Sequence, residues 1–213
     1  MLSATIDLLD GFYSHALGAQ PTDFRRPELT VAQTPTVTAI RFARSWPLAL
    51  FSMARPKGGT VLAVRPPFGK QARAALIGAA ELDEAAQEAV RNALQGALRG
   101  LWFQGVRLCC DRSCFVNRTE GEVRQVEADD ERAGELHGIW GGPVFGRIVD
   151  GVAVSLAAVK PLSDVVWDLR VETLPDYRGR GFARSAVSAA VDYILSHNVI
   201  AGWGTDTCNT GSV

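Results

Sequence analysis

The chain has 213 residues, enough for one large domain or two small ones. Hydrophobic residues make up 47% and charged residues 21%, the balance of an ordinary globular protein. The formal net charge of −1 gives no overall electrostatic reason to expect nucleic acid or an anionic membrane as partner, so any basic cluster has to be argued locally.

Residues 3–17 read as a helix, with Ser3 as N-cap and Ile6, Leu9, Tyr13 and Ala16 along one face. The opening stretch has no basic segment ahead of an apolar run, so it does not read as a secretion signal. No apolar stretch approaches the roughly 18–20 residues of a membrane helix. The expected location is cytoplasmic. Residues 20–35 (QPTDFRRPELTVAQTP) carry three prolines and read as a loop. Strands are expected at 37–42, 48–53 and 60–64, with Lys57-Gly58-Gly59 as the turn between the last two and Pro66-Pro67 closing the segment. Helices are predicted over 68–78 and 83–99, the second with Ala86, Val90, Ala93, Leu94 and Ala97 as its inner stripe.

Short strands follow at 106–110 and 114–117. Cys109, Cys110 and Cys114 invite a metal reading, but a zinc site wants four ligands at chelating spacing and no histidine lies close in sequence. No metal is expected; a buried strand with small thiol side chains is, and with Cys208 these four cysteines should be reduced in a cytoplasmic chain. Asn117-Arg118-Thr119 is a glycosylation sequon without meaning in that compartment. A boundary is placed near residue 120, dividing a smaller α/β domain over 1–120, of no readable role, from a second domain over 121–213.

The second domain reads as a strand at 122–126, then a helix of about 129–139 opening at Asp129-Asp130-Glu131. A hairpin of 144–149 and 152–159 turns at Asp150-Gly151, and a strand at 165–173, a helix at about 181–196 and a strand at 199–205 complete it. That order predicts a mixed α/β fold (α+β, with a mixed sheet) in which a long strand feeds a helix through a glycine-containing turn.

The chemistry concentrates in Val171-Glu172-Thr173-Leu174-Pro175-Asp176-Tyr177-Arg178-Gly179-Arg180-Gly181-Phe182-Ala183-Arg184. Pro175 stops the strand after Thr173, and the turn opens a helix. Gly179 and Gly181 have no Cβ, so an anion can approach the backbone N–H groups. The helix adds its unsatisfied first donors and the positive end of its dipole, and Arg178, Arg180 and Arg184 add charge. This is an anion cradle of a size that suits a pyrophosphate. An RG-rich nucleic-acid segment is a poorer reading, because Phe182, Ala183, Ala186, Val187, Ala190, Val191 and Ile194 continue as an amphipathic helix. Gly-Lys-Ser/Thr and the three-glycine dinucleotide spacing are both missing.

Arg178-x-x-Gly181-x-Ala183 resembles the Arg/Gln-x-x-Gly-x-Gly/Ala motif of the GNAT acetyltransferase superfamily, and Val171-x-Thr173-x-Pro175 precedes it at the spacing usual there. Gly202-Trp-Gly-Thr-Asp-Thr-Cys-Asn209-Thr-Gly-Ser212 resembles the family's next strand and the asparagine and serine that open its next helix. The resemblance covers roughly residues 122–213. It implies an acyl-CoA fold in which the long strand splays from its neighbour. Val171, Glu172 and Thr173 would pair with the pantetheine arm of acetyl-CoA, residues 178–184 would take the pyrophosphate, and Asn209 would lie near the thioester. The implied reaction is direct attack of an amine, on a small molecule or a peptide, upon the acetyl carbonyl.

For the base, Asp168, Arg170 and Glu172 share one face of the long strand, and Glu172 lies nearest the expected thioester. Glu172 is the first choice, against the alternative of a solvated or ion-paired strand carboxylate. Asp206 is a weaker candidate, and His137 reads as structural. The resemblance also implies a further helix, with a tyrosine acid, and two more strands beyond Asn209. The sheet edge they would cover should be shielded by residues 1–120 or by a second copy of the chain, as a homodimer. The alternative function is acyl-CoA binding or scaffolding without turnover.

Overall fold

The computed structural model describes residues 3–35, 50–94, 105–209 and 211. The chain forms two compact units, one of Ile6–Trp102 and one of Phe103–Val213 with Met1–Thr5.

α1 (Ser3–Leu17), which belongs to the first unit from Ile6 onward, has the limits read from sequence, with Ser3 already helical. The loop expected over 20–35 instead contains a strand, β1 (Leu29–Gln33). Pro27 and Pro35 bracket this segment rather than interrupt it, and none of the five strand residues lacks an N–H. β2 (Leu50–Ala54) and β3 (Thr60–Val64) follow, in the order β1-β3-β2, with β1 parallel and β2 antiparallel to β3. Lys57, at φ 61, makes the turn between β2 and β3. β3 is apolar and buried from Val61 to Val64 because both its faces are covered. Val61 and Ala63 pack with Tyr13 and Leu17 of α1, whereas Leu62 and Val64 pack with α2 (Gly69–Ala75) and α3 (Glu84–Ala93). Ala86, Val90 and Leu94 are the buried stripe of α3; Ala93, expected to join it, is exposed. The strand predicted at 37–42 and Ala97 lie outside the described residues.

The second unit is a six-stranded mixed sheet. Its elements are β4 (Gly105–Cys110), β5 (Val123–Val126), α4 (Glu131–Trp140), β6 (Val144–Val149), β7 (Val152–Pro161), β8 (Val166–Thr173), α5 (Phe182–Ser196) and β9 (Ile200–Asp206). The strand order is β4-β9-β8-β7-β6-β5; β8 and β9 are parallel and all other neighbours antiparallel. Because β4 pairs along its length with β9, from Gly105↔Asp206 to Cys110↔Ala201, the units divide between Trp102 and Phe103, earlier than residue 120. The same pairing covers the edge of β9 from within the chain.

No strand forms at 114–117. The Asp111 carboxylate accepts from the Ser113 N–H at 3.0 Å and the Ser113 hydroxyl at 2.6 Å, which turns the chain there. Residues beyond run beside α5: the Arg118 N–H donates to Ser188 Oγ at 2.9 Å, and Glu120 exchanges two 2.6 Å bonds with the Ser185 hydroxyl.

Local signals place the remaining elements. Asp130 accepts from the N–H groups of Arg132 and Ala133 as N-cap of α4, and Gly141, at φ 76, ends the helix. Asp150 and Gly151, at φ 50 and 78, make the hairpin turn. Residues 153–159 of β7 are all buried, so this strand is covered on both faces. α5 packs its Ala186, Ala190 and Ile194 against Ala157, Val159 and Leu169.

Candidate functional site

β8 and β9 pair through only three positions, Val166↔Ile200, Trp167↔Ala201 and Asp168↔Gly202. Beyond them β8 stays with β7 as far as Thr173↔Ser155, and β9 stays with β4 as far as Asp206↔Gly105. The two strands therefore part into a wedge with its apex at Asp168 and Gly202. Backbone groups of β8 from Leu169 onward that would have met β9 face this wedge, and Val171, Glu172 and Thr173 lie on its rim. On the side of α5, an apolar cleft opens beside the wedge, lined by residues 108–110 of β4, Leu169, residues 201–203 of β9, and Val187 and Val191 of α5.

A buried ion pair holds the apex. Arg107 reaches from β4 across β9 and donates to both Asp168 oxygens, at 2.9 and 3.3 Å, with side chains only 10% and 7% exposed. Gly202 lies between them: a Cβ there would sit 3.1 Å from an Arg107 nitrogen, 3.1 Å from an Asp168 oxygen and 3.3 Å from Val166. Sequence reasoning placed Asp168 on the strand face it shares with Arg170 and Glu172 and did not include Arg107, which lies 61 positions away. The glycines of Gly202-Trp203-Gly204 were the available signal, since a glycine inside a strand often marks close approach by another group.

At the far end of β8 the turn is built as the sequence suggested. Gly179 and Gly181 stand at φ 74 and 79, in the left-handed region that any side chain would strain. Gly181 is the N-cap of α5, and no side chain caps the helix. The first intrahelical bond runs from the Ser185 N–H to the Gly181 carbonyl, so the N–H groups of Phe182, Ala183 and Arg184 precede the ladder and remain available to an anion. Arg178, Gly179, Arg180, Gly181 and Arg184 are all exposed. The Arg178 guanidinium donates back to the Thr173 carbonyl at 3.2 Å, which ties the turn to the strand end. Arg180 stacks on Tyr177 at 5.4 Å, and Arg147 of β6, which the sequence reading did not include, lies 5.1 Å over the Phe182 ring.

The candidate catalytic groups are placed as follows. Glu172 is half-buried and paired with Arg170, at 2.9 Å from Nε and 2.8 Å from Nη2. His137 bonds the Val126 carbonyl through Nε2 at 3.0 Å, the structural part expected of it. The Asp206 carboxylate caps the turn after β9 by accepting from the Cys208 N–H at 2.8 Å. Asn209 is exposed in that turn, its N–H on the Asp206 carbonyl at 3.0 Å. Because β8 and β9 are parallel, it lies at the same end of the sheet as Thr173.

Cys109 and Cys110 are half-buried on β4 and Cys114 and Cys208 are exposed, so the expected buried strand of thiols does not form: none of Cys109, Cys110 and Cys114 is buried, and Cys114 lies in the turn after β4. Burial, reinforced by a hydrogen bond with Cys114, pushes the Cys110 thiol up to about 12. Among the described residues, no group of three or more His, Cys, Asp or Glu side chains converges to hold a metal, and no helix is long and apolar enough to cross a membrane.

The sequence model of the acetyltransferase (GNAT) family matches residues 111–213. No curated protein matches the chain. Similar solved structures include a GNAT-family protein from Novosphingobium aromaticivorans, with TM-score 0.40 and 16% identity over 55% of this chain and 68% of that one. A GCN5-related N-acetyltransferase from Kribbella flavida gives TM-score 0.40 and 18% identity over 46% of this chain and 47% of that one, less than half its length. A GNAT-family acetyltransferase from Colwellia psychrerythraea gives TM-score 0.43 and 13% identity over 76% and 73%. The chain carries, over residues 111–213, a domain of the acetyltransferase (GNAT) family.

Proposed function

We propose that this domain moves an acetyl group from acetyl-CoA to an amine on a small molecule or peptide. The observation that carries the reading is the wedge between β8 and β9, which opens on the same side of the sheet end as the uncapped N-terminus of α5. One long pocket for a thioester arm and one cluster of N–H donors for a pyrophosphate are what this co-substrate needs. When bound, it supplies an acyl carbonyl that an uncharged amine attacks directly, with the thiolate leaving.

The chain's own residues have separate tasks. N–H groups of residues 181–184, with Arg178, Arg180 and Arg184 around them, hold the phosphates. The backbone of Val171, Glu172 and Thr173 aligns the arm, and Asn209 closes its far side. Glu172 takes the amine proton, directly or through a water, and must exchange its contact with Arg170 to do so. That contact favours the second reading, acyl-CoA binding without turnover.

Calorimetry with acetyl-CoA and thioester consumption with a panel of amines test both readings. Binding with turnover is expected; binding with no consumption by any amine class supports the second. Gly181→Val, which places a β-branched residue at φ 79, should abolish binding while the fold persists. Unchanged affinity in that folded variant would refute the cradle.

A further inference from the structure

Outside the site, the turn after β4 brings two thiols together. Cys114 Sγ lies 3.6 Å from Cys110 Sγ, and both sulfurs donate to the Asp111 carbonyl at 3.4 Å. The turn is held by its own bonds: the Cys114 N–H donates to the Asp111 carbonyl at 3.2 Å, while Ser113 donates twice to the Asp111 carboxylate. These bonds place the exposed Cys114 over Cys110. One sulfur is exposed and the other lines the apolar cleft beside the wedge. Closing a disulfide needs the sulfurs to move from 3.6 Å to about 2.05 Å, a change of side-chain torsion.

We propose that Cys110 and Cys114 are a reversible dithiol–disulfide site that takes a peroxide as oxidant. The exposed Cys114 reacts first: its thiol sheds a proton, the thiolate sulfur attacks a peroxide oxygen, and the O–O bond breaks; the departing hydroxide takes up the shed proton and leaves as one water, with Cys114 now a sulfenic acid. The Cys110 sulfur then attacks Cys114 Sγ. The S–O bond breaks, and the departing hydroxide carries off the Cys110 proton as a second water. Two thiols lose two electrons in total and hydrogen peroxide gains them. Burial favours the protonated form of the Cys110 thiol, so this second step has to release that proton.

The test treats the reduced full chain with hydrogen peroxide and titrates thiols. The titre should fall from four to two, at a rate independent of protein concentration, and return with dithiothreitol. Peptide mapping should place the bond between Cys110 and Cys114. Cys114→Ser should keep its remaining thiols under the same treatment, and Cys109→Ser should still lose two. In Cys110→Ser, the sulfenic acid should persist at Cys114 and be captured by dimedone. An unchanged titre in the wild-type chain would overturn the proposal. So would a bond mapped to Cys109 or Cys208, loss of thiols only as intermolecular dimers, or equal loss in Cys114→Ser.

Discussion

Asp168→Leu isolates the contribution of the apex ion pair. Both partners are nearly inaccessible, and the guanidinium makes two bonds to the carboxylate. Removing the carboxylate takes a two-bond ionic partner from the buried Arg107, which costs about 3–5 kcal/mol. Against a total stability of about 5–15 kcal/mol for a domain, that is a large loss. The pair itself is a different matter. Desolvation offsets most of the attraction, so replacing both partners by apolar residues of similar volume is expected to be neutral or stabilising by up to about 4 kcal/mol. Arg107→Met with Asp168→Leu should therefore recover most of what Asp168→Leu loses. Urea unfolding followed by tryptophan fluorescence measures this, because Trp167 and Trp203 lie on β8 and β9 beside the apex. A single substitution costing less than about 1 kcal/mol, or a double variant no more stable than the single, would refute this account of the pair. The double variant also separates stability from shape: it should fold, yet bind acetyl-CoA more weakly, because nothing polar then fixes where β8 and β9 part.

Glu172→Gln should lower turnover by about 10²–10⁴-fold with little change in acetyl-CoA affinity; near-normal rates across the pH range would make Glu172 a structural partner of Arg170 only. Gly202→Val should cost about 1–3 kcal/mol by overpacking, since even a Cβ would crowd Arg107 and Asp168 at 3.1 Å; unfolding midpoints equal to wild type would show that the apex yields freely. The Cys110 thiol is raised in the fold from 9.0 to about 12, so its contribution is fully present below pH 9 and is lost as pH rises toward 12. Cys110→Ser should flatten the alkaline limb of the stability profile, and an unaltered limb would assign it to other groups.

What could be read from the sequence was what local chemistry encodes. Asp130 before an acidic turn, Asp150-Gly151 between apolar runs, and Gly179 and Gly181 ahead of an amphipathic helix each fix backbone geometry within a few residues, and each lies where it was expected. The failures share a cause. β1 was hidden because its prolines flank the strand, and only pairing with β3 shows that the five residues between them are extended. The segment 114–117 has strand-like residues but finds no ladder, because Asp111 turns the chain and Ser185 and Ser188 take its backbone groups farther on. Arg107 carries no local mark at all. Its partner is chosen by the register of β4 on β9, which is a property of two segments far apart in the chain.

The place of β4 beside β9 has a consequence for how this domain is made. Gly105 opposes Asp206, so one hundred residues must be synthesised and ordered before the first strand of the sheet meets its partner. Until then β4 waits as an unpaired edge, and β9 completes two ladders together when it arrives. A fragment limited to residues 111–213, the extent of the family match, would keep the cradle but lose β4. It would then present the open flank of β9 to other chains, and its solubility would suffer before its chemistry did.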